Sequence, residues 1–202
     1  MIETCHRQFS SYEDLIRARP PRRQKYSEVS SMYQQQYDIT YEDLNPIFLY
    51  STQGIRYSSE QAHSHEFPEI AVVLDGLGEF CVDGNIFPVK KGDILLFNPG
   101  ITHQSRRTSS SHPTTEFYTG FSNLRFRNME DNQICFSGNP ILLHPQEKVF
   151  LQISRLAEAM MSEACHTEPG RYFMLKSYLT QLILLLYREQ KGTRRAAGTG
   201  YY

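Results

Sequence analysis

His63-Ser64-His65-Glu66-Phe67-Pro68-Glu69-Ile70-Ala71-Val72-Val73-Leu74-Asp75-Gly76 combines polar chemistry with the start of a strand pattern. His63, His65 and Glu69 lie at even spacing, and residues two apart on a strand face the same side. Both imidazoles can therefore point into one cavity, joined by Glu69 if Pro68 leaves the register unshifted. Downstream, His103 follows the Pro99-Gly100 turn, and an antiparallel barrel brings it back to the same cavity. Three imidazoles and a carboxylate make an N3O donor set suited to a divalent transition metal such as Zn, Ni, Mn or Fe, with room for water or substrate.

Outward from this stretch the texture is that of short antiparallel strands. Ile47 to Tyr50 and Glu69 to Asp75 read as strands, and Gly76-Leu77-Gly78 as a tight turn into Glu79 to Val82. Asp83-Gly84-Asn85 is a hairpin signal leading to Ile86 to Val89. Lys91-Gly92-Asp93 turns the chain into Ile94 to Phe97, which stops at Asn98-Pro99-Gly100, and Thr115 to Phe121 is a further strand.

After Pro145 the period changes from about 2 to about 3.6. Val149, Phe150, Ile153, Leu156, Ala157, Met160, Met161 and Ala164 share one face of an amphipathic helix, which Thr167-Glu168-Pro169-Gly170 interrupts. A second helix carries Phe173, Leu175, Leu179, Leu182, Ile183, Leu185 and Leu186. It is apolar around most of its girth and needs two apolar neighbours. One is the first helix; the other is either the barrel wall or the same helix of a second subunit. The expected organisation is a polar, proline-broken arm over residues 1–45, a barrel over 46–145, a helix pair over 146–190 and a linker over 191–202.

The 202 residues suit one large domain with modest extensions. Lys plus Arg is 21 against 22 for Asp plus Glu, so there is no basic excess to drive phosphate-backbone binding by this chain alone. No apolar run reaches the length of a membrane span, and the first residues lack the pattern of a signal peptide. A soluble, cytoplasmic protein is expected. The four cysteines form no CxxC pair, so reduced structural thiols are expected rather than a disulfide scaffold. No Gly-x-Ser-x-Gly occurs to suggest a hydrolytic nucleophile.

His63-x-His65-x3-Glu69-x6-Gly76 resembles the first cupin motif at every ligand position, and Gly92 with Pro99-Gly100-x2-His103 resembles the second. Pro99 sits one place later than the usual proline, and Arg107 stands where many metal-binding cupins have asparagine. A narrower resemblance, over about residues 46 to 190, is to the sensor domain of AraC-type transcriptional regulators. It is carried by His63 to Ile70 leading to Val73-Leu74-Asp75-Gly76, by Lys91 to His103, by Phe121-Ser122-Asn123-Leu124-Arg125-Phe126 and by the closing helix pair.

These resemblances imply a mainly β fold, a cupin double-stranded β-helix barrel followed by an antiparallel helix pair. The regulator family implies a small-molecule effector in the barrel, sugar-like or a small organic acid, and a homodimer through the helices. Leu175, Leu179, Leu182, Ile183 and Leu186 are the expected interface. A separate helix-turn-helix domain binds DNA in that family. Only 12 residues follow Gln190 here, without the pattern of a recognition helix, so this chain is expected to be a sensor half. Glu79, Arg107 and Tyr118 join the four motif residues as candidate pocket residues. Two uses of His63, His65, Glu69 and His103 stay open: metal ligands, or polar lining of an effector pocket. The alternative function is a metal-dependent cupin enzyme, a dioxygenase or isomerase, with an open metal position.

Overall fold

The structure, a computed structural model, describes Ile39 and residues 44–108, 111–126, 129–135 and 141–198, the last eight as backbone. The described strands and helices belong to one compact unit, Tyr41–Tyr202. Most of the arm expected over residues 1–45 falls outside the described residues.

Eight strands are described: β1 (Leu44–Ile55), β2 (Glu69–Asp75), β3 (Leu77–Val82), β4 (Asn85–Lys90), β5 (Ile94–Phe97), β6 (His103–Arg106), β7 (Thr115–Leu124) and β8 (Leu142–Leu143). They form a five-stranded sheet in the order β1-β7-β2-β5-β8 and a three-stranded sheet in the order β4-β3-β6. Every pairing is antiparallel. Pro46 and Pro88 lie in β1 and β4, both edge strands, where a residue without an N–H breaks no ladder. Asp83 and Gly84 both adopt positive φ, the backbone that the β3–β4 hairpin turn requires.

Alternation sorts the inner face. Ala71 and Val73 of β2, Phe80 and Val82 of β3, Val89 of β4, Leu95 and Phe97 of β5 and Tyr118 of β7 form one cluster between the sheets. Each large apolar side chain buried there contributes about 1.5–3 kcal/mol. Ile70, Val72, Leu96, Phe117 and Phe121 have the opposite parity and are equally buried. The larger sheet is therefore covered on both faces, and β2 reads as a continuous apolar run rather than an alternating one.

Two helices follow, α1 (Glu147–Cys165) and α2 (Arg171–Gly198), packed against each other and against β1. Phe150, Ile153, Ala157 and Met160 form the buried stripe of α1. On α2, Leu175, Leu179, Leu182, Ile183 and Leu186 are all buried within the single chain. Of the two neighbours expected for this helix, α1 and the barrel side are both present within the chain, in contact with α2. Helix α2 also runs to Gly198, beyond the expected boundary at residue 190. Lys191, Arg194, Arg195, Ala196 and Ala197 are good helix formers, so an established helix propagates through them without an apolar period.

Gly76, the glycine of the first motif, is required twice over. Its φ is +85°, and a Cβ there would lie 2.2 Å from the Pro113 carbonyl oxygen. The strand reading placed a turn at Gly76-Leu77-Gly78. The chain turns at Gly76 alone, and Leu77 already pairs with Lys90.

Candidate functional site

The site forms where one end of the large sheet meets the small one. Glu69 opens β2, paired with Phe97 on one side and Gly120 on the other. His103 opens β6 in the other sheet, opposite Val82. His63 reaches it through a two-way backbone bridge, its N–H donating to the His103 carbonyl at 3.0 Å and its carbonyl accepting from the His103 N–H at 2.9 Å. His65 is held by its ring, stacked on Phe67 at 4.7 Å, while the His103 ring stacks on Phe97 at 4.0 Å.

One donor atom from each of His63, His65, Glu69 and His103 lies within 4.8 Å of all the others. The outer nitrogens are fixed. His63 Nδ1 donates to the Gln61 carbonyl at 2.9 Å and His103 Nδ1 to the Ile101 carbonyl at 3.0 Å, so each presents Nε2 inward. Glu69 Oε1 accepts a short hydrogen bond from the Tyr50 hydroxyl, and His65 Nε2 lies 3.9 Å from the same oxygen.

The decisive pair is Glu69 Oε2 and His103 Nε2. They are 2.8 Å apart, yet both are buried without a hydrogen-bond partner. Their contact has the distance of an ion pair but not the direction of a hydrogen bond. Buried polar atoms are rarely left in this condition, and two lone-pair atoms converging beside two further imidazoles is the donor arrangement of a cation site. Charge acts on two of the imidazoles in opposite directions. Burial lowers the His103 pKa, but the Glu69 carboxylate and the Ile101 carbonyl outweigh it and the net direction is up. His65 goes down, because burial outweighs its attraction to Glu69.

A cavity of about 320 Å³ opens beside this cluster, lined by Tyr50, Thr52, Gln53, Arg56, Glu60, His63, His65, Glu69 and Tyr118 among others. Burial, and then the neighbouring carboxylate, pushes the hydroxyl pKa up both for Tyr50 beside Glu69 and for Tyr118 beside Glu116. Both phenols therefore stay protonated and act as donors.

Residues 56–118 match the family model of the cupin domain. The fold is accordingly a cupin barrel of two antiparallel sheets followed by two helices. Among solved structures, the chain is similar to the protein YhaK from Escherichia coli, at 19% identity over 48% of this chain and 41% of that one, with a TM-score of 0.37. A cupin protein from Bacteroides fragilis matches at 21% identity over 42% and 70% of the two chains, with a TM-score of 0.32. A Cupin 2 conserved barrel domain protein from Salinispora arenicola matches at 22% identity over 40% and 69%, with a TM-score of 0.33. No curated protein matches the sequence. Among the described residues no helix is long and apolar enough to cross a membrane.

Of the residues singled out from the sequence, the fold brings His63, His65, Glu69 and His103 together and sets Tyr118 on the same cavity. Glu79 and Arg107 do not line it. Glu79 has the half-exposed parity of β3, opposite Arg106, and Arg107 is an exposed side chain donating to the Tyr57 carbonyl at 2.7 Å. His144, away from this cavity, pairs with buried Asp93 at 2.7 Å.

Several residues in and behind this cavity escaped the sequence reading. Tyr50 is turned inward by a bulge: Phe48 pairs with Phe121 but Tyr50 with Gly120, so one extra residue switches the face. Its ring fits only because residue 120 is glycine, where a Cβ would lie 2.3 Å from it. Arg56 lines the other polar wall, backed by Glu116. Buried Glu116 accepts from Ser105 Oγ at 2.7 Å, Thr114 Oγ1 at 2.6 Å, Tyr118 Oη at 2.5 Å and Arg56 Nε at 3.2 Å. A glutamate at the head of the otherwise apolar run to Phe121 was the available signal.

Proposed function

We propose that this chain is a small-molecule-binding cupin domain whose pocket is centred on a divalent transition metal held by His63, His65, Glu69 and His103. The observation that carries the reading is the partnerless pair Glu69 Oε2 and His103 Nε2, set among donors that could hold an ion. The donor set, three imidazoles and one carboxylate, fits Zn, Ni, Mn or Fe. When bound, such a metal supplies a Lewis-acidic position facing the cavity. The protein's part is to keep the His63 and His103 Nε2 atoms aimed inward through the Gln61 and Ile101 carbonyls, to hold the His65 ring by stacking on Phe67, and to hold Glu69 by Tyr50.

The biological context that the sequence supports is effector sensing in an AraC-type regulator, as a homodimer in the cytoplasm, with DNA contacted by a domain outside this chain. The two helices packed on the barrel are the elements through which ligand binding would be transmitted. Dimerisation would use a surface other than the inward leucines of α2. A second reading, a metal-dependent cupin enzyme, is favoured by one observation: three of the four donor residues line an open cavity.

Metal analysis of the full chain purified without chelator tests the metal centre. About one divalent ion per chain is expected, absent from His65→Ala at unchanged circular dichroism. Wild-type protein that neither retains nor takes up Zn, Ni, Mn or Fe on titration would sink the proposal.

A further inference from the structure

The wall of the cavity formed by Arg56 has a construction that the metal cluster does not explain. Arg56 directs Nε and Nη2 at Glu116, at 3.2 Å each, and Nη2 also donates to Tyr118 Oη at 3.3 Å. The Arg56 guanidinium lies 5.8 Å over the Tyr118 ring. The remaining nitrogen, Nη1, meets Glu60 Oε1 at 2.8 Å. The two carboxylates differ in kind. Glu116 is buried and tied to five donor atoms, whereas the Glu60 side chain is 31% exposed and lies outside the strands, between β1 and β2.

Buried ion pairs contribute little net stability, so a guanidinium oriented by a fully satisfied carboxylate is better explained as preorganised for something else. A fork held rigidly on one edge, with its other edge covered by an exchangeable carboxylate, is a carboxylate receptor with its own side chain in the seat.

We propose that Arg56 anchors a small carboxylate ligand, which displaces Glu60 from the guanidinium and extends across the cavity toward the His63–His65–Glu69–His103 cluster. The inference rests on reading this cavity as the ligand site. Exchange of one carboxylate for another conserves charge at Arg56, and Glu60 regains full hydration when it swings out. A cavity of about 320 Å³ has room for a short acid reaching from Arg56 toward the cluster.

The test is calorimetric titration of the full chain, metal-loaded and metal-free, with oxalate, succinate and benzoate, each paired with its neutral amide, and with inorganic phosphate. At least one acid is expected to bind, with its amide at least tenfold weaker. Arg56→Gln should lose at least tenfold in affinity, and Arg56→Lys, which keeps the charge but not the fork, should fall between. Glu60→Gln should tighten binding several-fold, because it removes the internal competitor; a merely structural ion pair would not produce that result. Absence of binding by all three acids, equal binding by Arg56→Gln, weaker binding by Glu60→Gln, or a preference for phosphate over every acid would each overturn the proposal. Carboxylate binding by metal-free protein that never takes up metal would retain Arg56 as the anchor and reject the metal centre, so the two failures are distinguishable.

Discussion

Two carboxylates of the barrel, Glu69 on the cavity and Glu116 behind Arg56, are about equally buried: 3% exposed for Glu69 and 1% for Glu116. Their surroundings are opposite. Glu116 has hydroxyl donors from Ser105, Thr114 and Tyr118 and the Arg56 guanidinium, with both oxygens occupied. Glu69 has one oxygen on Tyr50 and the other beside His103 without a hydrogen bond. A buried charge that the protein satisfies by itself is a support; a buried charge left partly unsatisfied is kept for a ligand. The difference separates scaffold from site more sharply than burial or residue type.

The largest effect that would test this separation is on stability. Glu116→Ala strands three hydroxyls and a largely buried guanidinium, and should cost about 3 kcal/mol. Glu69→Ala in metal-free protein removes one hydrogen bond and one charge contact and should cost closer to about 1 kcal/mol. Urea midpoints of the two variants decide the matter. Equal costs, or a larger one at Glu69, would break the distinction between support and site.

The sequence revealed the ligand cluster because its spacing lies within one short segment plus a single return, although period-2 arithmetic is not what gathers it. Of the three residues in that segment only Glu69 lies in a strand; His63 is held by its isolated bridge to His103 and His65 lies in irregular chain ahead of β2. The second wall was not legible. Tyr50 reaches the cavity only through the extra residue between Phe48 and the Gly120 pairing, which inverts the parity that the sequence suggests. Arg56 follows the end of β1, where alternation stops, and Glu60 lies in irregular chain. Their partners are 60 positions away or four, and one sequence does not connect Arg56 with Glu116. The girth of α2 was legible as apolar, but the side on which its leucines meet a neighbour depended on packing, and the barrel side supplies it.

A smaller effect concerns how the unsatisfied carboxylate is aimed. Tyr50 donates to Glu69 Oε1 and leaves Oε2 toward His103. Tyr50→Phe keeps the ring in the space over Gly120 but frees the carboxylate to rotate. Losing such an outer contact should weaken metal binding about 10- to 100-fold, with little change in fold. Competition against a chelator of known affinity measures it. A Tyr50→Phe protein with wild-type metal affinity would show that Glu69 is positioned by β2 alone.

The smallest effect is the pH response of the metal-free protein, in which His103 and His65 oppose each other. The His103 pKa is raised in the folded state, so folded protein holds that proton more tightly than unfolded protein does. Its stabilisation is full below about pH 6.5, the ordinary histidine value, and is lost as pH rises through the raised folded value. The His65 pKa is lowered, so its contribution is present above about pH 6.5 and is lost as pH falls through the lowered folded value. Metal-free stability should therefore decline on both sides of a maximum near the ordinary histidine range. His103→Gln should remove the decline on the alkaline side, while Ser105→Ala, which touches only the Glu116 wall, should preserve it. Metal-loaded protein should behave in the opposite sense on that side, gaining stability with pH as the imidazoles lose the protons that compete with the ion. Thermal midpoints between about pH 5 and 9 with and without zinc measure both slopes. Parallel slopes would mean that His103 and the metal do not compete for the same nitrogen, and the partnerless pair would then belong with the supports rather than the site.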